Sequence, residues 1–385
     1  MRKALIVTAL AGFIKSFLMS DIARLRDLGF EVHCAANACH PGSEGVVETL
    51  SKEGVIFHQV DFSSSKPLSL ETFKAWRALS SLSNAMTFDL IHCHTPIAGA
   101  ITRSVFWKQR KRGTVMLYTV HGFYFHKRSG RKSWLLYRNA EDFFSRYTDT
   151  VITINHEDYV NARQMHCEDV RYIPGVGVDI DKFHDVNVDI SEYRSRLGLS
   201  EEDFVVLAIG ELSYRKNHRI VIEAIAESGI KNAVLVICGN SIANPEVKSK
   251  LEELAESLQV DVRFLGLRND IPQICKCADV GVLPSLREGL GLAGIEMLAS
   301  GLPLVASDVQ GIPDYVEDGV NGYLCDPTDS ADFARALSCL TDEGLRSRMS
   351  AVGYQSVGAF STTESERVMA EIYCSAVSRL EKGHR

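Results

Sequence analysis

FVVLAIG, residues 204–210, decides the fold, because it restarts a rhythm that the chain has already run through once. It is an unbroken apolar run of strand length followed by helix-length amphipathic sequence. AVLVICG (233–239), VRFLG (262–266), VGVLPS (280–285) and PLVAS (303–307) repeat it, and upstream ALIVTA (4–9), EVHCAAN (31–37), DLIHCHT (89–95), VMLYTVH (115–121) and TVITIN (150–155) keep the same beat. Strands covered on both faces lose the in-out alternation and read as continuous Val/Ile-rich runs, and alternation with helices makes their sheets parallel. The expectation is an α/β protein whose two similar domains meet across a cleft. Residues 174–200 are the expected linker, since the glycines and proline of IPGVGVDIDKF (173–183) punctuate structure and the charges there offer little to bury. Ligands of open parallel sheets bind beyond the carboxyl ends of the strands, so chemistry is sought in the residues just after each one. The segment TTESERVMAEIYCSAVSRLEKG (362–383) spaces its apolar residues as a helix does and should dock one face onto a domain.

Composition narrows the class. A chain of 385 residues exceeds one ordinary core, and 45% hydrophobic with 24% charged residues is globular rather than disordered. A net charge of -7 argues against a general polyanion binder. No apolar run reaches 18 residues, and MRKALIVTALAGF opens charged and then strand-like, which reads as cytosolic. The ten cysteines stand singly, mostly inside apolar runs such as VHCAAN, IHCHTP and VICGNS, so disulfides are not expected.

Four constellations could carry chemistry. In REGLGLAGIEMLASGLP (287–303) a helix should begin near Gly291, and its free N–H groups and partial positive charge suit phosphate oxygens. Glu288 would repel an anion unless it faces sugar hydroxyls or positive charge developing on a sugar carbon. Glu296, eight residues on, returns to about the same side of a helix that otherwise looks buried, where a carboxylate needs a partner. The alternative is two solvated glutamates. In ELSYRKNH (211–218), Arg215 and Lys216 follow a strand and could hold a diphosphate, Arg by a fork of donors and Lys as a point charge, or form a solvated basic turn. His92, His94, His121 and His126 lie at or after the ends of two strands; Cys93 points away from His92 and His94, which disfavours a metal site. His121, directly after LYTV, is the better placed to touch a substrate hydroxyl. Between Asp89 and Glu141 the chain has no acid, yet it carries Arg103, Lys108, Arg110, Lys111, Arg112, Lys127, Arg128, Arg131, Lys132 and Arg138 among Phe106, Trp107, Trp134 and Leu135. That mixture fits an anionic surface, phospholipid or a lipid-linked diphosphate, in preference to nucleic acid. PGVGVD (174–179) lacks the third glycine of a dinucleotide fingerprint, and DID (179–181) is an ordinary acidic triplet.

These residues also carry a resemblance. PSLREGLGLAGIEMLASGLPLVASDVQGIPDYVEDGVNGYL (284–324) resembles the donor-binding signature of family 4 glycosyltransferases in its Glu-x7-Glu spacing, small-residue turn, Gly-x-Pro and DGxNG loop. IHCHTP, YTVHGFYFHK, DTVITINHEDY, IPGVGVDIDKF and GELSYRKNH resemble the subgroup that builds capsular and exopolysaccharide repeat units, so the likeness covers most of the chain. It implies the GT-B fold, two Rossmann-like domains facing each other across a cleft. Residues 1–178 would bind the acceptor, with 362–385 packing back on them, and 179–361 would bind a nucleotide-sugar donor. It further implies retention of anomeric configuration, a UDP-sugar donor, a polyprenyl-diphosphate-linked saccharide acceptor, a cytoplasmic enzyme peripheral on the anionic inner membrane face, and no metal or other cofactor. By the same resemblance Glu288 contacts the donor sugar, Glu296 the ribose, and the amides of Gly291 and Leu292 the diphosphate. Lys216 with Arg215 stabilises the leaving group, His121 stands near the sugar, and Gly12 belongs to a glycine-rich turn beside the phosphates. His94, Arg103, Lys127 and Arg128 fall on the implied acceptor or membrane face. The sequence departs from the family pattern at Gly12, which lacks a second glycine, and at Glu211, where many members have Arg. A nucleotide-sugar epimerase on the same fold and a non-catalytic nucleotide-sugar-binding component of an assembly complex remain the competing readings.

Overall fold

The computed structural model describes residues 1–40, 42–62, 69–241 and 244–383. The chain divides into two units, Met1–Val176 joined by the chain from Thr363 on, and Gly177–Thr362. Unit 1 holds seven parallel strands, β1 (Arg2–Leu10), β2 (Phe30–Asn37), β3 (Ile56–Gln59), β4 (Leu90–His94), β5 (Val115–Val120), β6 (Thr150–Thr153) and β7 (Asp169–Tyr172), in the order β3-β2-β1-β4-β5-β6-β7. Unit 2 holds six, β8 (Phe204–Ile209), β9 (Ala233–Cys238), β10 (Asp261–Gly266), β11 (Val280–Leu283), β12 (Leu304–Ser307) and β13 (Gly322–Cys325), also parallel, ordered β10-β9-β8-β11-β12-β13. Each sheet reverses its strand order once, between β1 and β4 and between β8 and β11. Such a switch point opens a crevice beyond the strand ends, and the candidate residues of both units lie there.

All ten expected strands form. The sequence rhythm misses β3, β7 and β13, and all three lie at sheet edges; β10 is the one edge strand that it finds. Ile56 is exposed and β7 is largely half-buried, so neither carries the continuous apolar run of a central strand. The central strands do: Leu5, Ile6 and Val7 of β1 and Val206, Leu207 and Ala208 of β8 have no exposed surface.

The expected linker is a correction. From Gly177 onward it belongs to unit 2 and holds two short helices, Ile180–His184 and Ile190–Arg196. Asp179 caps the first by accepting from the Lys182 amide (3.2 Å) and Asp189 the second from the Glu192 amide (3.0 Å). Ile180 and Phe183 are buried, and the first helix packs against helix Leu292–Ala299. Gly177 has φ +81°, and a Cβ there would stand 2.4 Å from Thr362 Cα, so this glycine serves a backbone crossing rather than a phosphate. All ten cysteines are free.

The helix Thr362–Gly383 buries Met369, Ile372, Tyr373, Ala376 and Leu380. Tyr373 Oη meets His92 Nδ1 at 2.8 Å, and Arg379 Nη2 donates to Asp169 Oδ2 at 2.7 Å, which ties the helix to unit 1.

Candidate active site

In unit 2 two loops at the carboxyl ends of the adjacent strands β8 and β11 are stapled together. The Leu286 amide donates to Arg215 O (2.9 Å), and Asn217 Nδ2 donates to Pro284 O (3.1 Å) and Pro327 O (2.9 Å). Two glycines make this possible. Gly210, at φ +152°, would place a Cβ 3.2 Å from Lys216 Cε, so its missing side chain leaves room for the lysine stem, and a Cβ on Gly239 would fall 1.8 Å from Gly210 O.

The staple brings Arg215 and Lys216 onto Glu288. Lys216 Nζ donates to Glu288 Oε2 at 2.6 Å, Arg215 Nη1 at 3.2 Å and Ser285 Oγ at 3.0 Å. The side chains of Lys216 and Glu288 are only 11% and 13% exposed, so this is an internal charge cluster rather than a surface pair. Burial pushes the Glu288 carboxyl up, but Lys216 and Arg215, with the two hydrogen bonds from Lys216 and Ser285, outweigh it and hold the carboxyl below the ordinary glutamate value. Two cations share one carboxylate, so the cluster keeps one positive charge uncompensated and can still attract an anion.

Beside it, Gly291 sits at φ +85° and caps helix Leu292–Ala299. A Cβ there would lie 2.9 Å from both Glu288 Cγ and Leu283 Cδ2. The buried Tyr315 hydroxyl donates to Gly291 O at 3.1 Å and fills the space over Gly294, where a Cβ would meet it at 2.4 Å. At the start of this helix the Leu292 and Ala293 amides have no intrahelical acceptor, whereas the Gly294 amide donates to Gly291 O at 2.8 Å.

The two glutamates differ. Glu296 is half-buried, and among the described residues its carboxylate has no hydrogen-bond partner. Burial raises its pKa, and Lys182 only partly counters this. Glu288 is engaged by protein cations, whereas Glu296 is left to a ligand or to water.

In unit 1, His121 follows β5, and its Nε2 meets His94 Nδ1 at 3.2 Å. His94 lies over His92 with ring centroids 4.1 Å apart, and Phe13 packs edge-on to His121 at 4.9 Å. His92 and His94 are sealed, while His121 keeps part of its surface open. Burial keeps all three neutral: His92 is pushed down to about 3, His121 to about 4, and His94 well below its ordinary value, with a further push on His94 from His92 and His121. At neutral pH His121 can therefore donate or accept a hydrogen bond but not act as a charged group.

Several expectations change here. Gly12 is not in a turn: β1 runs into helix Ala11–Phe17 without a loop. The Gly12 amide donates to Ser43 Oγ (3.1 Å), and a Cβ would stand 2.4 Å from Gly42 O, so its smallness serves the contact with residues 42–43. Arg103 is not on a membrane face. It is fully buried, donating to Glu141 Oε2 (2.9 Å) and Gly99 O (3.0 Å) and lying over the Tyr118 ring at 3.8 Å, because it joins helix Pro96–Arg110 to helix Asn139–Ser145. His94, also buried, belongs to the histidine stack. Lys127 and Arg128 are exposed. Sequence reasoning missed the ion pair itself, together with Ser285, Asn217 and Tyr315. The pairing follows from β8 and β11 being neighbours, and strand order leaves no trace in the periodicity. Among the described residues no three His, Cys, Asp or Glu side chains gather as a metal site.

Comparison with known proteins agrees with this architecture. Residues 20–182 match the family Glycosyltransferase Family 4, and residues 189–356 match Glycosyl transferases group 1. The chain is 32% identical to the "Putative glycosyltransferase EpsD" of Bacillus subtilis over 378 residues, covering 97% of this chain and 96% of that one. It is 30% identical over 290 residues, 73% of each, to the Escherichia coli "UDP-Gal:alpha-D-GlcNAc-diphosphoundecaprenol alpha-1,3-galactosyltransferase". Among solved structures, Anabaena HepE in complex with UDP superposes with a TM-score of 0.75 at 22% identity, over 97% of this chain and 100% of that one, a likeness of fold. The chain thus belongs to the glycosyltransferases, with a family 4 domain followed by a group 1 domain on the two-domain GT-B fold.

Proposed function

We propose that this glycosyltransferase moves a sugar, with retention, from a UDP-sugar to a polyprenyl-diphosphate-linked saccharide in capsule, exopolysaccharide or cell-surface glycan synthesis. The observation that carries the donor half is the Arg215–Lys216–Glu288 cluster beside the start of helix Leu292–Ala299. As the sugar–phosphate bond breaks, negative charge grows on the diphosphate. The excess cation and the Gly291–Leu292 amides, fixed beforehand by Ser285, Asn217 and Tyr315, stabilise it more than they stabilise the ground state. Glu288 turns an ionised oxygen toward the sugar, where it orients hydroxyls and favours positive charge on the anomeric carbon. Glu296, with no protein partner of its own, takes the ribose hydroxyls. His121 contacts the sugar as a neutral hydrogen-bonding ring. The lipid-linked acceptor is supported by the name of the galactosyltransferase relative, UDP by that name and by the HepE complex, and the exopolysaccharide setting by the likeness to EpsD. The reading needs no metal ion, so turnover should persist in excess chelator.

A peripheral membrane contact is part of the proposal. Three helices pack side by side in unit 1, Leu70–Ala85 on Pro96–Arg110 and that on Asn139–Ser145. They and the adjoining segment expose Leu70, Phe73, Trp76, Leu135, Leu136 and Phe143. Lys108 and Lys111 flank Trp107, and Arg131 and Lys132 precede Leu135. Apolar side chains among cations suit an anionic bilayer surface. No described helix is long and apolar enough to cross a membrane.

The deciding experiment is UDP release from a panel of radiolabelled UDP-sugars with and without a polyprenyl-diphosphate-linked acceptor. Transfer requires the acceptor, epimerisation proceeds without it, and a binding component releases nothing. For the membrane contact, the protein should pellet with phosphatidylglycerol vesicles and lose that binding when Leu135 and Leu136 become Glu; equal pelleting with neutral vesicles would refute the charge argument.

A further inference from the structure

We propose that Tyr373, on the C-terminal helix, is a positioning residue for His121 and acts on it through His92 and His94. The inference rests on the reading of His121 as the sugar contact. Its basis is geometric. His92 has both ring nitrogens occupied, Nδ1 by Tyr373 Oη at 2.8 Å and Nε2 by Thr119 Oγ1 at 2.7 Å, so the plane of the ring is fixed. His94 stacks on that fixed ring, and only its Nδ1 is engaged, by His121 Nε2; its buried Nε2 has no partner. His94 makes one hydrogen bond and otherwise is held by packing, against His92 and, at 6.1 Å, Phe13, so a rotation of His92 passes to His94 and from there to His121, the one ring of the three with open surface. The Tyr373 hydroxyl lies near the Asp21 carboxyl and lowers a pKa that burial raises, and Tyr373 is completely buried, so its own position is set by packing as well as by His92. A neighbouring cavity of ≈ 30 Å³, lined by Asp21, His94, Thr119, His121 and Met369 among others, holds room for about one water and no sugar. The network is therefore built to orient a ring rather than to take a ligand of its own.

The directions are linked through the ring: if Tyr373 accepts from His92 Nδ1–H, His92 Nε2 accepts from the Thr119 hydroxyl, and if Tyr373 donates to Nδ1, His92 Nε2–H donates to Thr119. In either state removal of the Tyr373 oxygen frees His92 Nδ1, while a phenyl ring keeps the packing of the helix.

The experiment compares Tyr373→Phe and Thr119→Val, each alone and combined with His121→Ala, and records the histidine ring ¹⁵N spectrum of each variant. Loss of one hydrogen bond from the relay should lower kcat by about three- to tenfold with little change in donor KM. In the His121→Ala background the same substitutions should add nothing. Both should also move the ¹⁵N resonances of His121, which neither substitution touches. An equal loss of kcat with and without His121, or His121 resonances that stay in place, would overturn the proposal. If His121→Ala leaves transfer intact, the sugar-contact reading fails instead, and the ¹⁵N shifts still decide whether Tyr373 sets the ring.

Discussion

The strand ends of the two units solve the same topological problem with opposite chemistry. At the switch point of unit 2 the side chains are charged and held to one another: two cations on one carboxylate, braced by a serine and by a tyrosine on the helix start. At the switch point of unit 1 they are three imidazoles that burial keeps uncharged. A charged cluster recognises a group whose charge changes during reaction, such as a departing diphosphate. A neutral donor-acceptor stack recognises hydroxyls, whose charge does not change.

The strongest challenge to this contrast is removal of the charge. Lys216→Ala should lower turnover by about 10²–10³, the effect of losing one preorganised charge-stabilising donor. Glu288→Gln should also cut turnover, because it leaves the buried Lys216 and the partly exposed Arg215 facing each other without a counter-charge. Full activity in both variants would mean that the unit 2 cluster is structural. A smaller effect is expected from Gly291→Ala. It forces an L side chain to φ +85° and against Glu288 and Leu283, and should cost about 1–3 kcal/mol in urea unfolding while weakening UDP binding.

The mildest test uses pH. His92, His94 and His121 have folded-state values below the unfolded one, so their contribution to stability is present above pH 6.5 and is lost as pH falls through the folded values, near 3 to 4 for His92 and His121. Asp21 works the other way. Burial lifts it to about 7, with Tyr373 lowering it and Glu366 raising it, so its contribution is greatest below pH 3.8 and disappears as pH rises past 7. Three histidines outweigh one aspartate. Among the described residues of unit 2 only His218 has a comparably depressed imidazole, and Glu288 is held below the ordinary glutamate value. Hydrogen exchange between pH 6.5 and 4 should show β4 and β5 losing protection before β8 and β11; simultaneous loss would erase the contrast.

How much of this was legible in the sequence follows the same division. Val206 or Ile91 has to be apolar because both faces of its strand are covered, so the nine central strands announce themselves, and of the four edge strands only β10 does. Edge strands such as Ile56–Gln59 answer to no such demand. Arg215, Lys216, Glu288 and Gly291 could be picked out singly, since each follows a strand and sits awkwardly in its neighbourhood. That Lys216 grips Glu288 could not, because it depends on which strands are neighbours. Arg103 misled for a related reason: a cation in a basic stretch reads as surface until its partner, 38 residues on, is known.

The helix that carries Tyr373 has a consequence for how the protein is made. Tyr373 meets His92 across 281 positions of sequence, with the whole of unit 2 synthesised in between. At ordinary rates of translation a ribosome would hold the seven strands of unit 1 for roughly 10–40 s before that helix emerges. During that interval β4 has its histidine but not its tyrosine, and apolar surface destined for Ile372, Tyr373 and Leu380 faces solvent or a chaperone. The domain begun first is completed last.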